Sequence, residues 1–271
     1  MTRSVLWLFV ARETRDLRTN RNVWPAYIAL AIVCIGLPTA IAFLIPMLVR
    51  DALSGREPEM AQLLAWLRAT PEFRSMDVGD AMARYLLRSV AGLFLILPVA
   101  LSSTSAAFSI VGEKQQRTLE PILATPITDR EFLFGKLLAA VVPTVAATWL
   151  AALLAIGIAD ALLWSRMGGP ILPDRYWLVA VGILSPLLAT IVVLVTMRLS
   201  AKATDPQATV QATALTVIPG FLLLFALFGR VLTLWFPALL IACALALLLA
   251  LWLFRTNVRR FEREEILTRW K

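Results

Sequence analysis

Six long apolar runs divide the chain, at about 24–49, 89–111, 137–158, 176–197, 209–229 and 232–254, and none of them contains Asp, Glu, Lys or Arg. Each is about 20 residues or longer, enough as a helix to cross a hydrocarbon layer of about 30 Å. Such a layer offers no water to an open backbone, so each run is predicted to be helical. Pro38, Pro46, Pro98, Pro143, Pro186, Pro219 and Pro237 lie inside these limits. They predict kinks of the kind a packed bundle tolerates. The pattern predicts an all-α integral membrane protein whose transmembrane domain of six helices occupies residues 23–257.

The polar intervals set the orientation. Residues 1–22, 112–136, 198–208 and the end of the chain after 254 hold 17 of the 26 Lys and Arg; the alternate set holds nine. The positive-inside rule then places both termini and the 112–136 segment in the cytoplasm, and an even number of spans agrees. Residues 1–22 form an apolar patch, Val5 to Val10 with Trp7 and Phe9, followed by Arg12, Arg15, Arg18 and Arg21. A signal peptide runs the other way, charge first and small residues last, so the segment is expected to be retained. It reads as an amphipathic helix in the membrane interface, with a disordered basic tail as the alternative. The outer loop, 50–88, carries two amphipathic stretches at 59–68 and 78–87; a rim on the outer leaflet and a plain loop both fit. The tail 258–271 is basic and amphipathic and reads as a second interfacial helix, with a solvated tail as the alternative.

Composition narrows the chemistry. Of 271 residues, 59% are hydrophobic and 16% charged, whereas a soluble domain carries about a quarter charged. There is no histidine, which excludes imidazole catalysis and imidazole metal ligands in this chain. Cys34 and Cys243 each fall inside an apolar run, where they read as small packing residues. No ionisable side chain stands near the middle of a span, as a proton- or ion-driven carrier would need. Asp160, at the end of the third run, reads as a helix-end residue. The groups of an intramembrane protease are missing, and Gly135-Lys136 is followed by Leu137 rather than Ser or Thr, so it forms no phosphate cradle.

The polar middle, 112–136, is the long charged interruption between spans. It holds Glu113, Lys114, Arg117, Glu120, Asp129, Arg130, Glu131 and Lys136, and Pro121 and Pro126 break it into short pieces. Residues 117–124 have the length of about two helical turns, and Thr128 with Glu131 fits a capping box opening the next helix. A short helix held at the water side between two spans suits docking in a partner's groove; an ordinary solvated loop is the other reading.

Glu113, Arg117 to Glu120, Ile122, Leu123, Thr125 to Ile127, Asp129, Glu131, Gly135 and Lys136 resemble the signature of permease subunits of type-2 ATP-binding-cassette (ABC) transporters. Phe261, Arg263, Glu264, Ile266 and Leu267 are similar to the ending common in those permeases. The resemblance implies a six-helix fold of the type V ABC exporter kind, from a sodium- or drug-export-like branch, with an N-terminal interfacial helix and a cytoplasmic coupling helix in 112–136. It implies a separate ABC ATPase carrying the ATP and magnesium, so this chain itself is no enzyme and binds no cofactor. It implies a dimer of permeases, identical or homologous, with an ATPase dimer in the cell inner membrane. In that picture Glu113, Arg117 and Glu120 make the polar contacts of coupling, and Leu119, Ile122 and Leu123 are its apolar anchors.

Two hydroxyl faces are candidates for a translocation path, Ser102, Ser105 and Ser109 in the second run and Thr209, Thr213 and Thr216 in the fifth. Their spacing places each set on one helix face, and interhelical packing is the alternative role. Two other functions stay open at this stage. One is an ion-coupled secondary carrier; the other is a non-transporting membrane scaffold or sensor whose 112–136 segment binds a different partner.

Overall fold

The structure, a computed structural model, describes residues 24–54, 78–115, 129–167, 169, 172–200, 203, 205–227 and 235–260. Every regular element among them is helical. In chain order these are α1 (Trp24–Ser54), α2 (Val78–Val90), α3 (Ile96–Gln115), α4 (Asp129–Met167), α5 (Arg175–Val179), α6 (Ser185–Ser200), α7 (Pro206–Leu227) and α8 (Phe236–Arg260). Five stretches are long and apolar enough to cross a membrane: Val78–Ser109, Arg130–Trp164, Arg175–Ser200, Pro206–Leu227 and Phe236–Arg259. The run read as the first span falls on α1, which holds a shorter apolar stretch, Ile28–Leu44. The protein is an all-α integral membrane protein. The interfacial helices expected at 1–22 and in the tail, and the amphipathic stretch 59–68, lie outside the described residues.

Helix α6 sits at the centre, packed by α3, α4, α7 and α8, while α1 lies against α2 and α4. Hydrophobic burial gives little drive between helices in lipid, so close approach of backbones has to hold such a bundle. The sequence supplies it with small residues at helical spacing. On α4, Ala151, Ala155 and Ala159 are buried four residues apart; on α1, Cys34, Pro38 and Ala42 repeat the same spacing. Both sets except Pro38 belong to one core cluster with Phe94, Tyr176 and Trp177. A second cluster joins Ala106 of α3, Leu133, Leu137 and Ala140 of α4, Leu194 of α6 and Leu253 of α8. The other faces of α4, α7 and α8 expose Leu153, Leu215, Leu223, Leu245 and Leu248, side chains that suit acyl chains.

The prolines act where they fall, by different means. Before Pro98 the chain tightens into a 3-10 turn, Leu93–Leu95, with backbone bonds running back three residues from Ala91, Gly92 and Leu95. Before Pro186 it widens instead into a π-turn, Ala180–Leu184, in which the Ser185 N–H bonds the Ala180 carbonyl. In that pattern the Val181 carbonyl would look to residue 186, and proline has no N–H to give. Trp149 of α4 supplies the missing donor, its indole Nε1 lying 3.0 Å from the Val181 oxygen. Pro143 and Pro219 lie within α4 and α7 without ending either helix. At the start of α7 the Asp205 carboxylate accepts from the Ala208 N–H at 2.9 Å, with Pro206 at the first helical position, a favoured N-terminal arrangement.

Replacing Ala155, which is fully buried, by Leu inserts bulk into the small-residue seam. The expected cost is about 1–3 kcal/mol. A lowered midpoint in a thermal melt of the detergent-solubilised protein checks this.

Candidate functional site

Charged side chains take up the two ends of the bundle, and each end is tied by specific polar contacts. At the end where α2 meets α5, Arg88 is 3% exposed and its Nε lies 2.7 Å from Oδ2 of Asp174. The guanidinium also stacks 4.1 Å from the centre of the Tyr176 ring. The other Asp174 oxygen accepts from the Trp177 backbone N–H at 3.0 Å and caps α5. Trp177 returns across the junction, its indole N–H donating to the Leu87 carbonyl at 3.0 Å and its ring tilted against Phe94. Tyr176 meets Phe236 edge to face, which brings the start of α8 into the same group. Asp160, near the far end of α4, accepts from the Leu172 N–H at 3.0 Å and holds the connector to α5. It was expected at a helix end, but α4 runs on to Met167, so Asp160 stands about two turns inside the helix and its bond is structural.

The opposite end carries Arg130, Lys136, Arg198, Arg255 and Arg259. Lys136 of α4 is 4% exposed, and its Nζ lies 2.8 Å from the Ser109 hydroxyl and 3.4 Å from the Ser109 carbonyl on α3. Arg198, at the end of α6, donates to Asn257 and Thr256 of α8 and lies over the Trp252 ring. The Asn257 amide donates in turn to the Leu194 carbonyl at 2.9 Å. One end is therefore joined across α2, α5 and α8; at the other, hydrogen bonds join α3 with α4 and α6 with α8, and Phe134 meets Phe254 edge to face between α4 and α8.

The residues singled out from the sequence fall unevenly on this frame. Arg117, Leu119, Glu120, Ile122 and Leu123 lie outside the described residues, as does the side chain of Glu113, whose backbone belongs to α3. Ser102 and Ser105 are buried, and their hydroxyls make no hydrogen bond among the described residues. Ser109 bonds Lys136. Thr209 and Thr213 are buried and Thr216 is exposed. All three threonine hydroxyls bond the carbonyl four residues back, at Asp205, Thr209 and Ala212. Both hydroxyl faces lie on helices that touch, α3 against α7. The polar ties themselves escape a reading span by span. Depth was the available signal for one of them: Arg88 and Asp174 stand one and two residues before apolar runs that start on the same side.

Comparison with known proteins falls on this same part of the chain. The model of the ABC-2 family transporter protein matches residues 60–204, more than half of the 271-residue chain. The chain belongs to the ABC-2 transporter family. No curated protein matches it. As an ABC-2 protein it is a multi-pass membrane permease of an ABC transporter, a class that partners an ABC ATPase subunit. The matched stretch takes in α2 to α6, and with them both the Arg88–Asp174 pair and the Lys136–Ser109 contact.

Arg88→Ala would leave the Asp174 charge buried without its ion partner, at a cost of about 3–5 kcal/mol. Arg88→Met combined with Asp174→Asn, which keeps an acceptor for Trp177, should lose less than the two single changes added together. A double-mutant cycle on thermal midpoints checks the coupling.

Proposed function

We propose that this permease forms the translocation path of an ATP-driven exporter and is coupled to its ATPase through residues 112–136. The observation that carries this reading is the family match running through that segment, together with its resemblance to the permease signature. In the proposal Leu119, Ile122 and Leu123 seat in the ATPase, and Glu113, Arg117 and Glu120 make polar contacts to it or to neighbouring helices. ATP binding closes the ATPase dimer, and its motion displaces the segment and tilts the helices on either side of it. ATP and magnesium sit on the partner, and this chain performs no chemistry.

Charge supports the orientation. The end bearing Arg130, Lys136, Arg198, Arg255 and Arg259 is the one that faces the cytoplasm in this reading, which puts both termini inside and the chain in the inner membrane. Two permeases, identical or homologous, assemble with two ATPase subunits. Ser102, Ser105 and Ser109 with Thr209, Thr213 and Thr216 are the proposed lining of the path. A sodium- or drug-export-like role fits better than lipid or polysaccharide export: some lipid- and glycan-exporting members of the resembled family place re-entrant helices between the last two spans, and the short connection from Leu227 to Phe236 has no room for them.

Leu119→Asp with Leu123→Asp should abolish co-purification of the ATPase while leaving membrane insertion intact. Retention of the ATPase by that double variant would remove the coupling role of the segment.

A further inference from the structure

A lysine ammonium that is almost wholly buried has to be held by oriented acceptors, and those acceptors say what its position is for. Lys136 is such a group. Its immediate neighbours along α4, Leu133, Leu137 and Ala140, belong to an apolar seam with Ala106 of α3. Contacts of that kind are non-directional, so alone they resist separation of two helices better than sliding or rotation of one against the other. The Nζ donors directed at the hydroxyl and the carbonyl of Ser109, at 2.8 and 3.4 Å, add the missing direction. Low local dielectric strengthens such bonds.

The placement is symmetrical. Lys136 lies seven residues beyond the start of α4 at Asp129, about 10 Å along the helix. Ser109 lies six residues before the end of α3 at Gln115, about 9 Å along it. The two helices that flank the docking segment of the proposed function are therefore arms of nearly equal length, with a polar cross-tie from Lys136 to Ser109 at their base. Without the tie, a push on the segment can be absorbed by slip between the arms. With it, the arms turn as one body. We propose that Lys136 is a positioning residue that locks α3 to α4 through Ser109, so that displacement of the 112–136 segment is carried into both helices together rather than lost between them. This rests on the ATPase-driven reading of the same segment.

The test uses the full chain in complex with its ATPase, spin-labelled at the exposed Trp164 at the far end of α4 and at the exposed Trp235 next to α8; native Cys34 and Cys243 are buried and stay in place. The probe is ATP trapped with vanadate, and the readout is the change in distance between the labels. Lys136→Met, which keeps length and loses the donors, should retain the ATPase but reduce the nucleotide-driven change to about half or less of that in the unmodified chain. Ser109→Ala, which removes the hydroxyl and leaves the carbonyl, should reduce it in the same direction by less, and it decides the matter if Lys136→Met does not fold. A residue that only held the fold together would lower the melting temperature and leave the amplitude in the folded protein unchanged. That outcome, in either variant, overturns the proposal. An unmodified chain that recruits no ATPase, or shows no nucleotide-driven change, removes the coupling reading and the lock together. A chain that recruits it and moves, beside a Lys136→Met variant that moves as far, removes the lock alone.

Discussion

Hydrocarbon offers no hydrogen bonds, so the backbone of a membrane bundle and the side chains that do pair must find their partners inside the protein. The consequences can be followed bond by bond here. Pro186 deprives the Val181 carbonyl of its backbone donor, the chain widens into a π-turn, and the indole of Trp149 from a neighbouring helix takes the donor's place. What a soluble helix would leave to water becomes a tie between α4 and the centre of the bundle. Arg88 and Asp174 obey the same rule at higher stakes. An unpaired charge at that depth would cost several kcal/mol, and the pair is completed by the Tyr176 ring on one side and the Trp177 N–H on the other.

These ties differ between the two ends of the molecule. At the Arg88 end they form one continuous group, in which the ion pair, Trp177, Phe94, Tyr176 and Phe236 connect α2, α5 and α8. At the other end the hydrogen bonds join α3 with α4, Lys136 to Ser109, and α6 with α8, Arg198 to Asn257 and Thr256, while Phe134 of α4 meets Phe254 of α8 edge to face. Directional bonds fix the relation of the elements they join, whereas the apolar packing of α3 against α6 between the pairs fixes only their closeness.

Much of the frame was legible in sequence because lipid imposes simple rules. Length and the absence of charge mark 176–197 and 232–254 without knowledge of any neighbour, and Arg175–Ser200 and Phe236–Arg259 are helices long and apolar enough to cross a membrane. Asp205-Pro206 announces a helix start from two adjacent residues, and the buried, free state of Cys34 and Cys243 follows from their apolar surroundings. What sequence did not disclose depends on pairs far apart in the chain. Nothing local to Arg88 points to Asp174, and read alone Arg88 closes the outer loop. The proline at 186 predicts a kink, yet whether it resolves as a 3-10 turn, a π-turn or a bend depends on which donor is near, and Trp149 lies on another helix. The candidate path residues show the same division. Spacing puts Ser102 and Ser105 on one face, but which serine would be engaged by a lysine, as Ser109 is, could be seen only with α4 in place.

The hydroxyls of α7 add a last physical distinction. Thr209, Thr213 and Thr216 all bond carbonyls within α7 or at its Asp205 cap, and Phe221 stacks on Phe225 of the same helix. Among the described residues α7 makes no side-chain hydrogen bond to any other helix, and most of its surface is exposed. Such back-bonding satisfies a threonine in lipid without binding its helix to a neighbour. Shifting α7 along α3 or α6 therefore breaks no directional bond and disturbs only van der Waals contact, a loss that is recovered wherever the surfaces fit again. Helices α4 and α8 have no such freedom, since Lys136 and Trp149 anchor the first while Asn257 and Phe236 anchor the second. Within one bundle the sequence thus separates helices that must move as tied pairs from one that can slide, by no larger device than the choice of where each polar side chain finds its partner.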